Sequence, residues 1–403
     1  MRNGLIEKKL FIIDYIRRFS PVPRHIISQR FNMNPATVGN IMERLINDGL
    51  VMETPLTPLE ERRTAGRPPV GLKINPLAGY FIGIDIYDRR LTALLTDFEC
   101  TPVCEYQATF KQGASVDTIL KTLEQSVRAL LKISGKPKIK LKGIGLGLPG
   151  RINLTDGIAV EYSRIPNWKN IAVGPFLQKA FNTPVFIEHN SNTTALATAW
   201  LSYPHISGVV ATVLVRTGVS LGIVQDRQII NSGRYSAGEL GHTVINFNGP
   251  TCRCGNKGCL ENYVSGAALS RIVLETAEKY PDWSASKVLK KNTIDADLIW
   301  ELAAAGDQRS HDILETMFGH LCIGVDTVLK LYAPDVITIN GIFHKAAPLL
   351  LSAIDRLCSH PLRKQTRICI EPYDLKNSAL GAAILAATYT CNPVHNLPGR
   401  HAV

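Results

Sequence analysis

The sequence predicts an α/β protein whose first 74 residues form a separate, mostly helical unit. Three observations predict it. Apolar residues recur at helical spacing several times before residue 49, and then the pattern breaks. Beyond residue 77, short apolar segments alternate with amphipathic stretches, as strands and helices do in one layered α/β fold. The chain also runs to 403 residues, more than a single ordinary core takes up.

In the N-terminal unit, Phe11, Tyr15 and Phe19, with Leu10, Ile13 and Ile16, mark a first helix. Pro21 and Pro23 interrupt it, and a short second helix is expected through Ile26, Ile27 and Phe31. Asn34 is placed as an N-cap with Pro35 at the first helical position. Val38, Ile41, Met42, Leu45 and Ile46 give the third helix its apolar stripe, and Gly49 stops it. Residues 50–53 and 70–74 read as two short strands around a polar, proline-rich stretch. Three helices and a hairpin make residues 1–74 a winged helix-turn-helix.

After Pro76, strands are expected at 80–85, 91–97 and 103–110, then a helix carrying Ile119, Leu123, Val127 and Leu130. Residues 143–148 read as a buried strand ending at Pro149-Gly150, and 184–188 as another that runs into a helix at 192–200. Strands at 209–215 and 221–225 and helices at 267–278 and 311–331 continue the alternation, which predicts a mixed sheet. No internal repeat with matching motifs is visible.

Hydrophobic residues make up 45% of the chain and charged residues 20%, which excludes a wholly disordered protein. No uninterrupted apolar run reaches the roughly 18 residues of a membrane span. Glu7, Lys8, Lys9 and Asp14 break up any leader-like pattern, so no membrane partner is expected. Three of the nine cysteines crowd into residues 252–259, which points to metal binding in a reducing cytosol rather than a disulfide scaffold. The expected location is therefore cytoplasmic. A net charge of +11 suits a polyanionic partner.

That charge is uneven. Residues 1–74 hold twelve lysines and arginines against seven acidic residues, so +5 of the +11 sits on under a fifth of the chain. Thr37, Asn40 and Arg44 lie three and four residues apart on the third helix and form a polar side that suits a major groove. Arg62-Arg63-Thr64-Ala65-Gly66-Arg67-Pro68 is the basic part of the wing, and its turn could place Arg67 in a minor groove. A trihelical unit can equally mediate protein contacts, its basic residues then being a solvated face.

Cys252, Cys254 and Cys259 put three thiols in one tight loop, and His242, ten residues upstream, is the candidate fourth ligand. Three sulfurs and one imidazole suit tetrahedral zinc in a closed, structural site with no position for water. The alternative is three buried apolar cysteines and a core histidine. A metal-stiffened loop would allow the flanking Glu239 and Glu261 to be aimed at ligand hydroxyls.

These residues resemble the ROK family of repressors and sugar kinases. The resemblance rests on Glu239-Leu240-Gly241-His242 and on Cys252-Arg253-Cys254-Gly255-Asn256-Lys257-Gly258-Cys259-Leu260-Glu261. Gly147-Leu148-Pro149-Gly150, Glu188-His189-Asn190-Ser191-Asn192 and Ala379-Leu380-Gly381-Ala382-Ala383 fit it in order. The N-terminal unit and its Gly-Arg-Pro wing match the repressor branch. The resemblance implies a two-lobed, actin-like (ribonuclease-H-like) body: residues 77–189, completed by a C-terminal helix at 377–391, then 190–376 with the zinc loop, and a loose tail at 393–403. It implies structural zinc on His242, Cys252, Cys254 and Cys259, and a sugar contacted by His189, Asn190, Glu239, His242 and Glu261.

The departures from the kinase pattern separate the two branches. Asn190 stands where kinases carry the aspartate that deprotonates the sugar, and an amide has no useful basicity. Tyr87 and Asp88 replace glycines in the first phosphate-binding turn, Arg216-Thr217-Gly218-Val219-Ser220 keeps one of three glycines, and Asn340-Gly341 stands for a Gly pair. The expectation is a regulator and not an enzyme, most simply a repressor that binds operator DNA as a homodimer or tetramer and is released by a sugar. A hexose kinase with a fused DNA-binding domain, or an architectural DNA-binding protein with a vestigial pocket, are the alternatives.

Overall fold

In the computed structural model, Asn34 opens the third helix as its sequence requires. Its side-chain oxygen accepts the Ala36 N–H at 2.9 Å, and Pro35 follows where no helical N–H is needed. The structure describes residues 2–56, 70–135, 140–162, 164–230, 238–288 and 296–390. The N-terminal segment runs α1 (Arg2–Phe19), β1 (Val22–Pro23), α2 (Arg24–Arg30), α3 (Pro35–Asn47), β2 (Val51–Pro55) and β3 (Val70–Ile74). Gly49, at φ +69°, supplies the left-handed turn after α3.

The core of this segment takes Ile12, Ile13 and Ile16 from α1, Ile27 from α2, and Val38, Ile41, Met42 and Leu45 from α3. Phe11 and Phe19 remain 46% and 37% exposed, so the isoleucines face inward. The strands β2 and β3 pair antiparallel from Val51↔Ile74 to Pro55↔Val70. The sequence did not suggest β1, which joins the other side of β3 through Val22↔Leu72. Pro21 and Pro23 read as interruptions, and a proline fits a strand only at an edge, where β1 lies.

The chain continues through β4 (Tyr80–Tyr87), β5 (Arg90–Asp97), β6 (Pro102–Thr109), α4 (Val116–Ile133) and β7 (Leu141–Leu148). A small sheet of β8 (Arg151–Asn153), β9 (Ile158–Glu161) and β10 (Lys169–Ile171) precedes α5 (Val173–Phe181), β11 (Val185–His189) and α6 (Asn190–Leu201). Then come β12 (Val209–Val215), β13 (Val219–Gln225), β14 (Gln228–Ile229), α7 (Glu261–Val264), α8 (Gly266–Lys279), α9 (Ser284–Val288), α10 (Ala296–Ala304) and α11 (Gln308–Tyr332). Last are β15 (Val336–Gly341), α12 (Ala347–Leu357), α13 (Leu362–Gln365), β16 (Arg367–Glu371) and α14 (Leu375–Thr390).

Two five-stranded sheets carry the body, in orders β11-β7-β4-β5-β6 and β14-β13-β12-β15-β16. In each, the first three strands of the half form an antiparallel meander, and the fourth and fifth run parallel to the first. The two halves thus share one topology although no sequence motif recurs between them. In the first half, α4 packs on the sheet through Ile119, Leu123, Val127 and Leu130, all buried. In the second, α11 does the same through residues such as Met317, Phe318, Leu321 and Val325. A Cβ at Gly145 of β7 would overlap the Ala382 carbonyl of α14, so a glycine there sets how closely that helix lies on the strand.

The chain forms two compact units, with 1–190 and the chain from 379 onward in one and most of 191–378 in the other. The changeovers fall at the start of α6 and inside α14. Residues 1–74 and the first body sheet therefore share a unit. Among the described residues, no helix is long and apolar enough to cross a membrane.

Candidate functional site

A tight loop after a one-turn 3-10 helix builds the metal cluster. Leu240–His242 forms that turn, closed by the His242 N–H donating to the Glu239 carbonyl at 2.9 Å. The cysteine loop is pinned by the Cys252 N–H donating to the Asn256 carbonyl at 2.7 Å and by the Gly255 N–H donating to the Cys252 carbonyl at 3.0 Å. Gly255, at φ +95°, makes that reversal possible. A bridge between Val244 and Cys259 then brings the last cysteine beneath the histidine.

The ligand atoms of His242, Cys252, Cys254 and Cys259 all lie within 4.8 Å of one another. Cys252 Sγ is 3.5 Å from His242 Nδ1, and Cys254 Sγ is 3.6 Å from Cys259 Sγ. Tetrahedral bonds of about 2.0–2.3 Å place neighbouring donors roughly 3.5–3.8 Å apart, so the set fits a metal ion of that kind. Burial, with the neighbouring Cys254 and Cys252 thiols, pushes Cys259 up to about 12. Cys254 is lowered, because the Asn256 backbone and the adjoining thiols outweigh burial. The four residues can hold a metal.

The two ring nitrogens of His242 face different groups. While Nδ1 meets the cysteines, Nε2 lies 3.8 Å from Glu239 Oε2. A metal on Nδ1 fixes the ring and leaves Nε2 available to a carboxylate or a hydroxyl. Glu239 is 53% exposed at its side chain, so this carboxylate points at a region that solutes reach.

Glu261 is held from the other side. Its Oε2 accepts the Val219 backbone N–H at 3.0 Å, which ties the start of α7 to the start of β13. Gly218 lies directly beneath: a Cβ there would come 2.6 Å from Oε2. The sequence presented Gly218 as the survivor of a phosphate-binding turn, whereas here the missing Cβ makes room for Glu261. Glu239, His242 and Glu261 belong to the second unit.

His189 and Asn190 belong to the first unit, at the junction of β11 and α6. Asn190 is buried at 1% exposure, and the Glu188 carboxylate accepts the His189 N–H at 2.7 Å. The turn after β4 holds Asp88 at φ +53°, directly after Tyr87 at the end of the strand. At the end of β15, Asn340 donates to Glu371 at 3.3 Å.

On the N-terminal segment, α3 buries Val38, Ile41, Met42 and Leu45 and turns its other side outward. Asn40 and Arg44 are exposed and Thr37 is half-buried. Arg67 and the basic wing around it lie outside the described residues, as does the tail at 393–403. Sequence reasoning missed the link from this segment to the body. Arg17 of α1 donates through Nε to the Phe98 carbonyl at 3.1 Å, with its guanidinium 5.2 Å from the centre of the Phe98 ring. No local pattern announces a contact between residues so far apart in sequence.

The ROK family's sequence profile matches residues 81–389. The chain belongs to the ROK family. The xylose repressor of Bacillus spizizenii is 28% identical over 93% of this chain and 91% of its own length. The DNA-binding transcriptional repressor Mlc of Escherichia coli is 26% identical over 84% of this chain and 82% of its own. A crystal structure of a ROK family transcriptional regulator, a homologue of the Escherichia coli protein, superposes with a TM-score of 0.80 at 24% identity, covering 97% of this chain and 98% of its own. At 97% of this chain, that superposition takes in the N-terminal segment as well as the body.

Proposed function

We propose that this ROK protein is a sugar-responsive transcriptional repressor. The observation that carries the reading is the joining, in one chain, of a winged-helix segment with α3 turned outward to a body that keeps Glu239, His242 and Glu261. Residues 1–74 would read operator DNA, with Thr37, Asn40 and Arg44 at base edges and Arg67 of the wing in the minor groove. Residues 77–189 with 377–391, and 190–376, would be the two lobes that hold the sugar through His189, Asn190, Glu239, His242 and Glu261. The relatives named as a xylose repressor and as the repressor Mlc support the reading.

The metal is zinc, on the chemistry of three thiolates and an imidazole, and its part is to hold His242 and the neighbouring carboxylates in place. Asn190 hydrogen-bonds a sugar hydroxyl and removes no proton, so the body binds and does not phosphorylate. The protein works in the cytosol, where thiolates stay reduced, and meets paired half-sites as a homodimer or a pair of dimers. The sugar must bind two arrangements of the protein with unequal affinity. A coupling of about 1–3 kcal/mol would change operator affinity roughly 5- to 150-fold.

Fluorescence anisotropy on DNA from the gene's own promoter, titrated with a sugar panel that begins with D-xylose, tests this. Salt-sensitive binding released by one sugar is the expected result. Binding no tighter than to random DNA removes the reading, and ATP turnover in the presence of any sugar restores the kinase alternative.

A further inference from the structure

Glu261 stands on α7, a helix of a single turn, and one turn has too few hydrogen bonds to hold its own shape. The direction of its carboxylate therefore depends on the side chains around that turn. Asn262 donates through Nδ2 to the Pro250 carbonyl at 3.1 Å, which fastens α7 to the loop ahead of the cysteines. Tyr263 lies between that loop and α11. Its hydroxyl covers Gly249, where a Cβ would come 2.0 Å from the oxygen, and its ring centre is 4.6 Å from that of His320 on α11. Leu260, just ahead of α7, meets the same helix one turn later, since a Cβ at Gly324 would come 2.7 Å from its Cδ2.

The contact between Tyr263 and His320 is made by ring faces, inclined at 31°. The Tyr263 hydroxyl and His320 Nδ1 are both buried, and neither hydrogen-bonds a described residue. Two flat rings at this distance prefer a few arrangements, where aliphatic side chains could slide past one another. The pair thus resists rotation of α7 about its axis. Such a rotation would swing Glu261, two residues from Tyr263 on the same turn, away from the Val219 N–H. A binding carboxylate must keep its place within about 0.5 Å and roughly 10–20° to hold a hydroxyl well. The proposed function assigns no part to Tyr263 or His320.

We infer that Tyr263 and His320 are positioning residues for the effector: their ring stack sets the aim of Glu261 at a sugar hydroxyl. They act through the carboxylate and not on the sugar. The inference deepens the reading of Glu261 as a sugar ligand and rests on it. Glu261, Tyr263, His320 and the Gly249–Pro250 loop all belong to the second unit.

Calorimetry of the full, zinc-loaded chain with D-xylose, D-glucose and N-acetylglucosamine tests it. Tyr263→Ala and His320→Ala are each expected to weaken binding of the sugar that wild type takes by about tenfold, the equivalent of one hydrogen bond to a charged group. Tyr263→Phe, which keeps the ring, should bind like wild type. Once Glu261→Gln has removed the charge, adding Tyr263→Ala should weaken binding no further, because residues that act through one group are not additive. Metal content and operator affinity should stay at wild-type values in His320→Ala, which lies outside the cysteine loop and decides the matter if Tyr263→Ala loses metal. Alanine variants that bind sugar like wild type overturn the inference and leave the repressor reading intact, as does a tenfold loss that persists without the Glu261 carboxylate. A wild type that binds none of the three sugars removes Glu261 as a sugar ligand, and the inference with it.

Discussion

Glu261 lies so close over Gly218 that the glycine sets the position of the carboxylate. With Oε2 accepting the Val219 N–H at 3.0 Å, a methyl group at residue 218 would come within 2.6 Å of that oxygen. Gly218→Ala is therefore expected to push the Glu261 side chain off its backbone donor and leave α3 untouched. The sugar concentration that half-releases operator should rise about tenfold, the equivalent of one hydrogen bond to a charged group. Operator affinity without sugar should stay at the wild-type value. Anisotropy titrations read both, and an unchanged sugar response would mean that Glu261 does not touch the effector.

Arg17 and Phe98 join the N-terminal helical segment to the first body sheet. The 3.1 Å hydrogen bond and the cation over the ring are backed by Phe98 stacking on the fully buried Phe81 at 5.6 Å. Such a contact contributes about 1–2 kcal/mol. Arg17→Ala should loosen the junction, so that lobe movements reach α3 less fully. The ratio of operator affinities without and with sugar is expected to fall toward one, with sugar binding itself unchanged by calorimetry. A variant with the wild-type ratio would place the coupling elsewhere.

The local signals in this sequence were read well and the long-range ones were not. The Asn34-Pro35 cap, the α3 stripe and the Cys252–Cys259 loop depend on neighbouring residues, so spacing alone revealed them. Strand β1 was hidden by two prolines, and β8 to β10 are too short to show alternation. The shared topology of the two body sheets left no trace because topology needs only apolar strands in order, not repeated motifs. Gly218 shows a related limit: a glycine shows that something lies close, but not that the neighbour is Glu261.

Asp307 caps α11 and links it to the segment before α10. It accepts the Ser310 N–H at 2.9 Å, the Trp283 indole N–H at 2.7 Å and the Ser284 hydroxyl at 3.0 Å. Burial opposes its charge, but hydrogen bonds from Ser310, Trp283 and Ser284 outweigh that and bring the carboxyl down to about 2. Because it titrates below its unfolded value near 4, the stabilisation is complete above that value and is lost as pH falls through about 2. Asp307→Ala should cost about 2–4 kcal/mol, since the helix loses its cap and the buried Trp283 N–H is left unmatched. Urea unfolding at pH 7 measures the loss. The gap between wild type and variant should narrow as the pH is lowered from 4 toward 2.

Metal analysis should find one zinc per chain, held by His242, Cys252, Cys254 and Cys259. Removing it with a strong chelator should lower Tm and abolish sugar binding, because the metal would hold the His242 ring in place, which the backbone bonds between residues 243–246 and 258–260 do not do. Cys259→Ala, at a fully buried ligand, should copy the stripped protein and resist rescue by added zinc. Binding to operator should survive both treatments, since the cluster and α3 lie in different units. Full sugar binding by metal-free protein would reduce the cluster to a set of core thiols.

A carboxylate at residue 190 tests whether this body can be made to phosphorylate a sugar. Asn190→Asp supplies a group that could take a proton from a sugar hydroxyl, at a position that is 1% exposed. A base alone accelerates nothing unless a phosphoryl donor is held in line with the hydroxyl. Here Asp88 follows Tyr87 at φ +53° in the turn after β4, and Asn340 donates to Glu371 at the end of β15. The variant is therefore expected to form no ADP with any sugar of the panel in a coupled assay. It should also bind its sugar with altered affinity, because an acceptor-only carboxylate replaces an amide that both donates and accepts. Sugar-dependent ADP formation by N190D would mean that the nucleotide turns still work and that this body lost its catalysis through one residue.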